Sequence, residues 1–411
     1  MPEEAPENTS PKVEKEYATA ELRTLKGLEA VRHQPGMFIG GTDERALHQC
    51  AFELIANSIG EFLPGYCTQI DVTIHVDGSI SVQDDGRGIP VDIKKYSGLP
   101  MVEELLTVIF TGGWYGRDDK YSPYSCGLHG FGPTCVNALS EWFKVEVLRG
   151  GKIYAIAFER GCTTQKLKVV GEMEDPEATG TTITFKPDSL IFRETTEFKT
   201  GRIRHRLREL AFAHTPLIFN FLDERVAGMK TEFIQHQPGE FPAFAWPAGK
   251  KPLWLIGEPM EFAFQDAGQR FKAVYQFAET AGSCVRCYTN ALPNQQGGSH
   301  LSGFLKGLAK ALTDYASAAG IELPGRGMIS PRSGMRGLHT VIALSHPNPR
   351  YLSASKDCLY CPDADPFVAA GTAQEVGILL HENPEIARQI LAHLMPPRQE
   401  LRRRSELGFL R

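Results

Sequence analysis

The sequence predicts an α+β fold in two parts, on three observations. Its 411 residues suit two or three cores. Segments with helical and with strand periodicity follow one another through both halves. Hydrophobic residues make up 42% and charged residues 23%, which is ample apolar material for a globular protein.

The elements follow in chain order. Residues 1 to about 16 are rich in Glu, Pro, Lys and Ser and read as a disordered lead. A short arm runs from Tyr17 to Leu28, and Pro35-Gly36 and Gly40-Gly41 mark breaks after it. Glu44 to Phe62 reads as a helix closed by Pro64-Gly65. Ile70 to Val76 alternates as a strand, and Asp77-Gly78 turns it into Ser79 to Gln83. Pro133 to Phe143 is expected to be helical. Lys144 to Leu148 and Ile153 to Glu159 should form a hairpin around Gly150-Gly151, with Thr181 to Lys186 as a further strand. Thr200 to Ala213 reads as a helix near the end of the first part. A second α/β segment starts near residue 230, with strands Phe271–Phe277, Ser283–Thr289 and Leu338–Leu344. A helix of roughly Ser299 to Ala319 lies between the last two, and Pro366 to Leu394 is helical.

Charge and cysteine usage bound the function class. Net charge is −5, so nothing in the balance demands a nucleic-acid partner. The concentrated basic stretch is the tail, with Arg398, Arg402, Arg403, Arg404 and Arg411, which reads first as a solvated helix end. No apolar run approaches the roughly 20 residues of a membrane span, and the first 15 residues carry no signal-peptide core, so a cytoplasmic location is expected. Nine cysteines, an odd number, argue against a fully paired secreted framework. Two Cys-x-x-Cys pairs, Cys284/Cys287 and Cys358/Cys361, invite a zinc reading. Against it, strand residues three apart point to opposite faces, and the pairs lie about 70 residues apart, beyond ribbon spacing.

Three motifs carry chemistry. On the helix from Glu44 to Phe62, about 100° per residue puts Leu47, Ala51, Leu54, Ile55, Ile59 and Phe62 on one side. Glu53 and Asn57 fall on the other, with Glu61 at its edge. An amide oxygen beside a carboxylate suits a Mg²⁺–phosphate site, and a carboxylate one turn away can polarise water. Alone, the helix also reads as a plain solvated face. Next, Asp84-Asp85-Gly86-Arg87-Gly88-Ile89-Pro90 follows a strand. Its glycines permit close backbone approach, and a carboxylate there can accept from an exocyclic amine and so prefer adenine to guanine. Finally, Gly127-Leu128-His129-Gly130-Phe131-Gly132 opens into a helix with Pro133 in its first turn. Backbone amides and a helix start favour phosphate there. The loop is neither a P-loop nor a dinucleotide fingerprint, and His129 reads as a lid residue rather than a base.

The order of these motifs, followed by Ala178-Thr179-Gly180-Thr181, resembles the GHKL ATPase superfamily. Leu25 to Arg32, Pro35 to Gly40, Gln83 to Pro90 and Gly127 to Ser140 are similar to the gyrase B and topoisomerase IV B family. Tyr288-Thr289-Asn290, Gly297 to Leu301 and Ser355-Lys356-Asp357 resemble that family's transducer domain. The resemblance covers about residues 17 to 395. It implies a GHKL-type α/β sandwich at 31–228, a smaller βαβ transducer at 229–395, a lead and dimer-exchange arm at 1–30 and a basic tail at 396–411. It implies ATP and Mg²⁺ as cofactors. Glu53 would be the general base, and Asn57 the metal ligand. Asp84, with a water near Thr181, would bind adenine. Arg87 would pair with Glu61, and Gly88, Ile89 and Pro90 would wall the base. Gly127 to Gly132 would close on the triphosphate, and Lys356 would reach the γ-phosphate. Tyr17 and Leu22 would cross into a second copy of the chain, giving an ATP-dependent homodimer. A gyrase A-like cleaving subunit, and DNA in the dimer cavity, are the further partners implied.

The chain also departs from the family pattern. Ala354-Ser355-Lys356 stands where the family has Gln-Thr-Lys, Ala56 and Gly60 where it has Asp, Trp114 for a common lysine and Cys126 for the first lid glycine. These changes predict slower turnover with binding retained. No Glu-Gly-Asp-Ser-Ala-Gly-Gly run occurs and no DNA-cleaving tyrosine can be assigned, so this chain alone is not expected to relax or supercoil DNA. The leading expectation is the ATPase clamp of a type II topoisomerase. The alternative is a stand-alone ATP-gated dimerisation or regulatory module with slow or no hydrolysis. Histidine kinases, mismatch-repair and chaperone ATPases share the pocket but not the Gly297 to Leu301 stretch.

Overall fold

A computed structural model describes residues 25–109, 131–246, 251–252, 254–280, 282–323, 327–353 and 356–395. Expectations placed on Tyr17, Leu22, Trp114, Cys126, Gly127 to Gly130, Ala354, Ser355 and the tail from 396 lie outside these residues.

Helices α1 (Leu28–His33) and α2 (Gly36–Ile39) lead into α3 (Glu44–Phe62), which starts where the Asp43 side chain accepts from Ala46 N at 2.9 Å. Strands β1 (Gln69–Ile74) and β2 (Ile80–Asp84) form the hairpin at Asp77-Gly78. Then come α4 (Met101–Thr107), α5 (Gly132–Ala138), β3 (Ser140–Arg149), β4 (Lys152–Glu159), β5 (Cys162–Glu172) and β6 (Gly180–Pro187). Helix α6 (Thr200–Ala213) precedes β7 (Ile218–Asp223) and β8 (Glu232–Ile234). These eight strands make one sheet, ordered β5-β4-β3-β6-β2-β1-β7-β8. Its edge strand β8 lies a few residues past 228.

The sheet is covered on one face, as its alternation requires. Ile70, Val72 and Ile74 on β1 and Phe219 and Phe221 on β7 are fully buried with Leu47, Ala51, Leu54, Ile55 and Ile59 of α3. Each Val, Leu, Ile or Phe among them contributes about 1.5–3 kcal/mol on leaving water.

The expected helix from Pro133 to Phe143 is corrected. It stops at Ala138, and Ser140 begins a ten-residue strand. Phe143, Val145 and Val147 alternate into the core, and Phe143 pairs with Phe158 and Phe185 on neighbouring strands. Aromatic and β-branched residues at period two override the helical start.

The second unit holds β9 (Leu255–Asp266), β10 (Gln269–Ala278), β11 (Cys284–Thr289), β12 (Leu292–Pro293), α7 (Ser299–Ala318), β13 (Leu338–Ser345), α8 (Ala364–Glu382) and α9 (Pro384–Leu394). Its sheet is ordered β12-β11-β13-β10-β9, with β11 and β13 parallel across the α7 crossover. Every residue of β13 is buried. Phe304, Leu308 and Leu312 of α7 cover one face with Leu338, Ile342 and Leu344, while Phe212 of α6 meets Val341 and Ala343 on the other. Helix α6 is therefore the junction between the two units.

Candidate functional site

The site gathers where α3, the β2 strand end and the start of α5 meet. Glu53 does not lie on a solvated helix face. It is 4% exposed, because α5 covers it. Its Oε1 accepts from Gln49 Nε2 at 2.9 Å. A methyl group on Gly132 would stand 2.3 Å from Glu53 Oε2 and 3.0 Å from its Cβ, so glycine lets the α5 backbone lie against this carboxylate without displacing it. One turn on, Asn57 is exposed, and its Nδ2 donates to Glu53 O at 3.1 Å.

The β2 end supplies the second carboxylate. Asp84 pairs with Thr181 in the β2–β6 register. Its Oδ2 accepts from Ser58 Oγ at 2.7 Å and its Oδ1 from Gly86 N at 3.1 Å. Burial pushes its pKa up to about 6; Ser58 and Gly86 work against that push, and the nearby Glu61 charge adds to it. Asp85 does a different job. It accepts from Thr68 N at 2.7 Å, from Gln69 N at 3.0 Å and from the Thr68 hydroxyl, tying the turn to β1. Burial opposes its charge, yet these donors hold its carboxyl below the usual range.

Arg87 forms a two-pronged pair with Glu61, both contacts at 2.8 Å, and its guanidinium lies 3.9 Å over the Tyr66 ring. Gly88 has φ +73°, and a Cβ there would meet Leu148 O at 2.7 Å, so both backbone and space require glycine. Ile89 N donates to Thr181 Oγ1 at 3.2 Å. Ile89 and Pro90 are half-buried, and Ile89 packs on the core. Phe131 meets the Phe38 ring edge-on at 5.8 Å.

Lys356 belongs to the second unit. It has φ +54°, an unusual conformation for a side chain, and its Nζ lies 5.3 Å over Tyr351. Its carbonyl accepts from Asn294 Nδ2 at 2.9 Å. Ala291, in the turn before the short strand β12 that leads to Asn294, accepts from Arg206, whose guanidinium lies 5.8 Å over Phe52, next to Glu53. A short chain of contacts thus links the Lys356 loop to the carboxylate helix.

Three participants escape sequence reasoning. Arg149 Nη1 donates to the carbonyls of Arg87 at 3.0 Å and Gly88 at 2.8 Å, clamping the turn from β3. Ser58 and Gln49 each hold a carboxylate. Gln49 has a signal in its i, i+4 spacing from Glu53. Ser58 and Arg149 act on a neighbouring element, which spacing does not show.

Comparison with known proteins fits this geometry. Residues 42–191 match the family described as histidine kinase-, DNA gyrase B-, and HSP90-like ATPase. Residues 245–406 match the family described as DNA gyrase B. The DNA gyrase B protein of Thermus thermophilus is 37% identical over 91% of this chain, and that of Haloferax volcanii 35% over 92%. The chain spans 58% of the length of each. Among solved structures, the 43K ATPase domain of Thermus thermophilus gyrase B, in complex with an aminocoumarin, aligns with TM-score 0.77 at 33% identity, covering 93% of this chain and 98% of that one. The topoisomerase IV ATP-binding domain of Francisella tularensis aligns with TM-score 0.73 at 27% identity, covering 90% and 96%.

Proposed function

This chain belongs to the DNA gyrase B family, and from that premise we propose that it binds and hydrolyses ATP to close a dimeric clamp within a type II DNA topoisomerase. The observation that carries the reading is Glu53, a buried carboxylate held by Gln49 against the glycine that opens α5. Glu53 orients the attacking water and takes its proton. Asp84, already held by Ser58 and Gly86, keeps acceptor capacity for the adenine amine. Thr181 holds the water beside it, and Gly88, Ile89 and Pro90, fixed by Arg149, wall the base. The Arg87–Glu61 pair closes the pocket mouth.

An exposed amide at Asn57, one turn from Glu53, fits a cation that keeps most of its waters. Bound with the triphosphate, Mg²⁺ supplies charge neutralisation on the phosphate oxygens. Gly127 to Gly132 close over the phosphates, and Lys356 contacts the γ-phosphate from the second unit. Tyr17 and Leu22 reach into the partner copy. We place the ATPase unit at 31–228, extended to Ile234 because β8 completes its sheet, and the transducer from there to 395. The location is cytoplasmic; among the described residues no helix is long and apolar enough to cross a membrane. A gyrase A-like subunit and DNA are the proposed partners.

Steady-state ATPase assays with and without DNA, wild type against Glu53→Ala, test the reading. Turnover should fall about 10²- to 10⁴-fold while nucleotide still binds. Equal rates would remove Glu53 as the base, and a wild type that binds without turnover would favour an ATP-gated module instead.

A further inference from the structure

The loop that carries Lys356 leaves the sheet at His346 and returns to α8 at Asp363. Its root brings together three ligand-type side chains. The candidate ligand atoms of His346, Cys361 and Asp363 all lie within 4.8 Å of one another. Two are buried, His346 at 5% and Cys361 at 1% exposed, while Asp363 opens to solvent. Their backbone is already held. Asn290 takes His346 N at 2.9 Å and donates to His346 O at 3.1 Å, and Ser299 Oγ takes Cys361 N at 2.9 Å. A fourth group stands beside them. Gln269 Nε2 donates to Asp363 Oδ2 at 3.1 Å, and its Oε1 is buried without a hydrogen-bond partner.

We propose that His346, Cys361 and Asp363, with Gln269 as the adjoining amide, form a site for a borderline divalent cation of the zinc class at the root of the Lys356 loop. Thiolate, imidazole and carboxylate together favour Zn²⁺ or Co²⁺ over Mg²⁺ or Ca²⁺, which take oxygen alone. One thiolate and one carboxylate cancel a +2 charge, so the occupied site is neutral where it is buried.

The protons balance. The Cys361 thiol proton leaves to solvent, and Asp363 is already a carboxylate. In the metal-free chain His346 Nε2 donates to Asp363 at 2.9 Å, while Nδ1 accepts from Asn348 N at 3.1 Å. On binding, the Nε2 proton moves to Nδ1, which gives up the Asn348 bond. A half-turn of the Gln269 amide brings its unpaired oxygen towards the cation.

The Cys-x-x-Cys spacing is not what builds this site. Cys358 belongs to the same loop, but it is not in the cluster. Occupancy would clamp both ends of the loop, and its consequence for ATP rests on the γ-phosphate role proposed for Lys356.

The test uses the full chain, stripped with chelator and titrated with Co²⁺. One equivalent should bind, with thiolate-to-cobalt charge-transfer absorption and four-coordinate d–d bands. Zn²⁺ should displace it and raise the melting temperature. Cys361→Ser should lose the charge-transfer band and Cys358→Ser keep it. Asp363→Asn, at the exposed ligand, should fold normally and bind Co²⁺ at least about tenfold more weakly. No band in the wild type, a band that survives Cys361→Ser, or Asp363→Asn affinity equal to wild type would overturn the proposal. Lys356→Ala separates the two readings: ATPase unaffected with the cobalt spectrum intact would remove the lysine role and leave the metal site standing.

Discussion

Two half-buried carboxylates, one in the pocket and one at the junction, are treated in opposite ways. Glu209 on α6 accepts from Tyr288 Oη at 2.7 Å and from Arg206 Nη1 at 2.7 Å, with His205 3.4 Å away. Burial opposes its charge, yet His205, Arg206 and Tyr288 hold its pKa down at about 2. Asp84 has donors but, among the described residues, no cation beside it, and burial pushes it up to about 6. The junction carboxylate is a finished network that bolts the two units together. The pocket carboxylate, held by Ser58 and Gly86, keeps acceptor capacity, which is what the proposed role with a ligand amine needs. A fold can hold both because the deficit at Asp84 is small beside the total burial.

Glu209→Ala should give the largest effect. It leaves Arg206, a residue 7% exposed, without its anion. Removing one partner of a buried pair costs about 3–5 kcal/mol, read by urea unfolding at neutral pH. A loss under about 1 kcal/mol, the range of exposed pairs, would show that the junction network is not structural.

Asp84→Asn should separate stability from binding. The amide can keep Gly86 N on its oxygen and donate to Ser58 from its nitrogen. Nucleotide affinity should fall ten- to a hundredfold, the worth of a charged hydrogen bond at about 1.5–3 kcal/mol, by titration calorimetry. The nucleotide-free protein should melt higher at pH 7, because the strained charge is gone. A lower melting temperature would mean that Asp84 is structural, like Glu209.

How much of this can be read from the sequence depends on how local each feature is. Helices Glu44–Phe62 and Thr200–Ala213 match their expected bounds, the first because Asp43 caps it and Pro64-Gly65 end it. Glu53, Asn57 and Glu61 share a helix, and Asp84 to Pro90 share a turn, so their grouping is legible. The edge strands are not. Strand β9 contains Gly257 and Pro259, which read as breaks but are tolerated at a sheet edge. Strand β5, at the other sheet's edge, is largely exposed and shows no apolar stripe to mark it. The Glu209–Tyr288 contact joins residues 79 apart, which no periodicity reports.

Acid should expose the same contrast. Burial lowers His214, at the junction near Arg206 and Asn290, and His300, on α7, to about 3 from 6.5. Below 6.5 the unfolded chain takes up protons that the fold refuses, so stability falls with pH until the folded values are reached. Each histidine contributes up to about 1.4 kcal/mol per pH unit. Asp84 acts in the other direction between about 6 and 3.8, where the folded state binds the extra proton and gains stability. Glu209 adds its own loss as pH falls below 4.5 towards about 2. Unfolding free energies should therefore fall below 6.5, with Asp84 offsetting part of the loss between about 6 and 3.8, and fall more steeply below about 4.5, where Glu209 joins and the Asp84 offset fades. In His300→Leu the slope should drop by about one histidine's share, and an unchanged slope would mean that His300 plays no part in it.

The smallest effect concerns a glycine on the pocket helix. Gly60 lies near the end of α3 beside Glu61, and a Cβ there meets nothing within 4 Å. Gly307 on α7 is the opposite case, for a Cβ would lie 2.5 Å from Ala369 O and 2.7 Å from Thr372 Cβ, against α8. Gly60→Ala should therefore stabilise by about 0.5–1 kcal/mol through helix propensity alone, seen as a modest rise in melting temperature with nucleotide affinity unchanged. The same change at Gly307 must push two helices apart and should destabilise. If Gly60→Ala instead lowered affinity, the slack around α3 would belong to the pocket's working motion, and the glycine would be there for the ligand rather than merely tolerated.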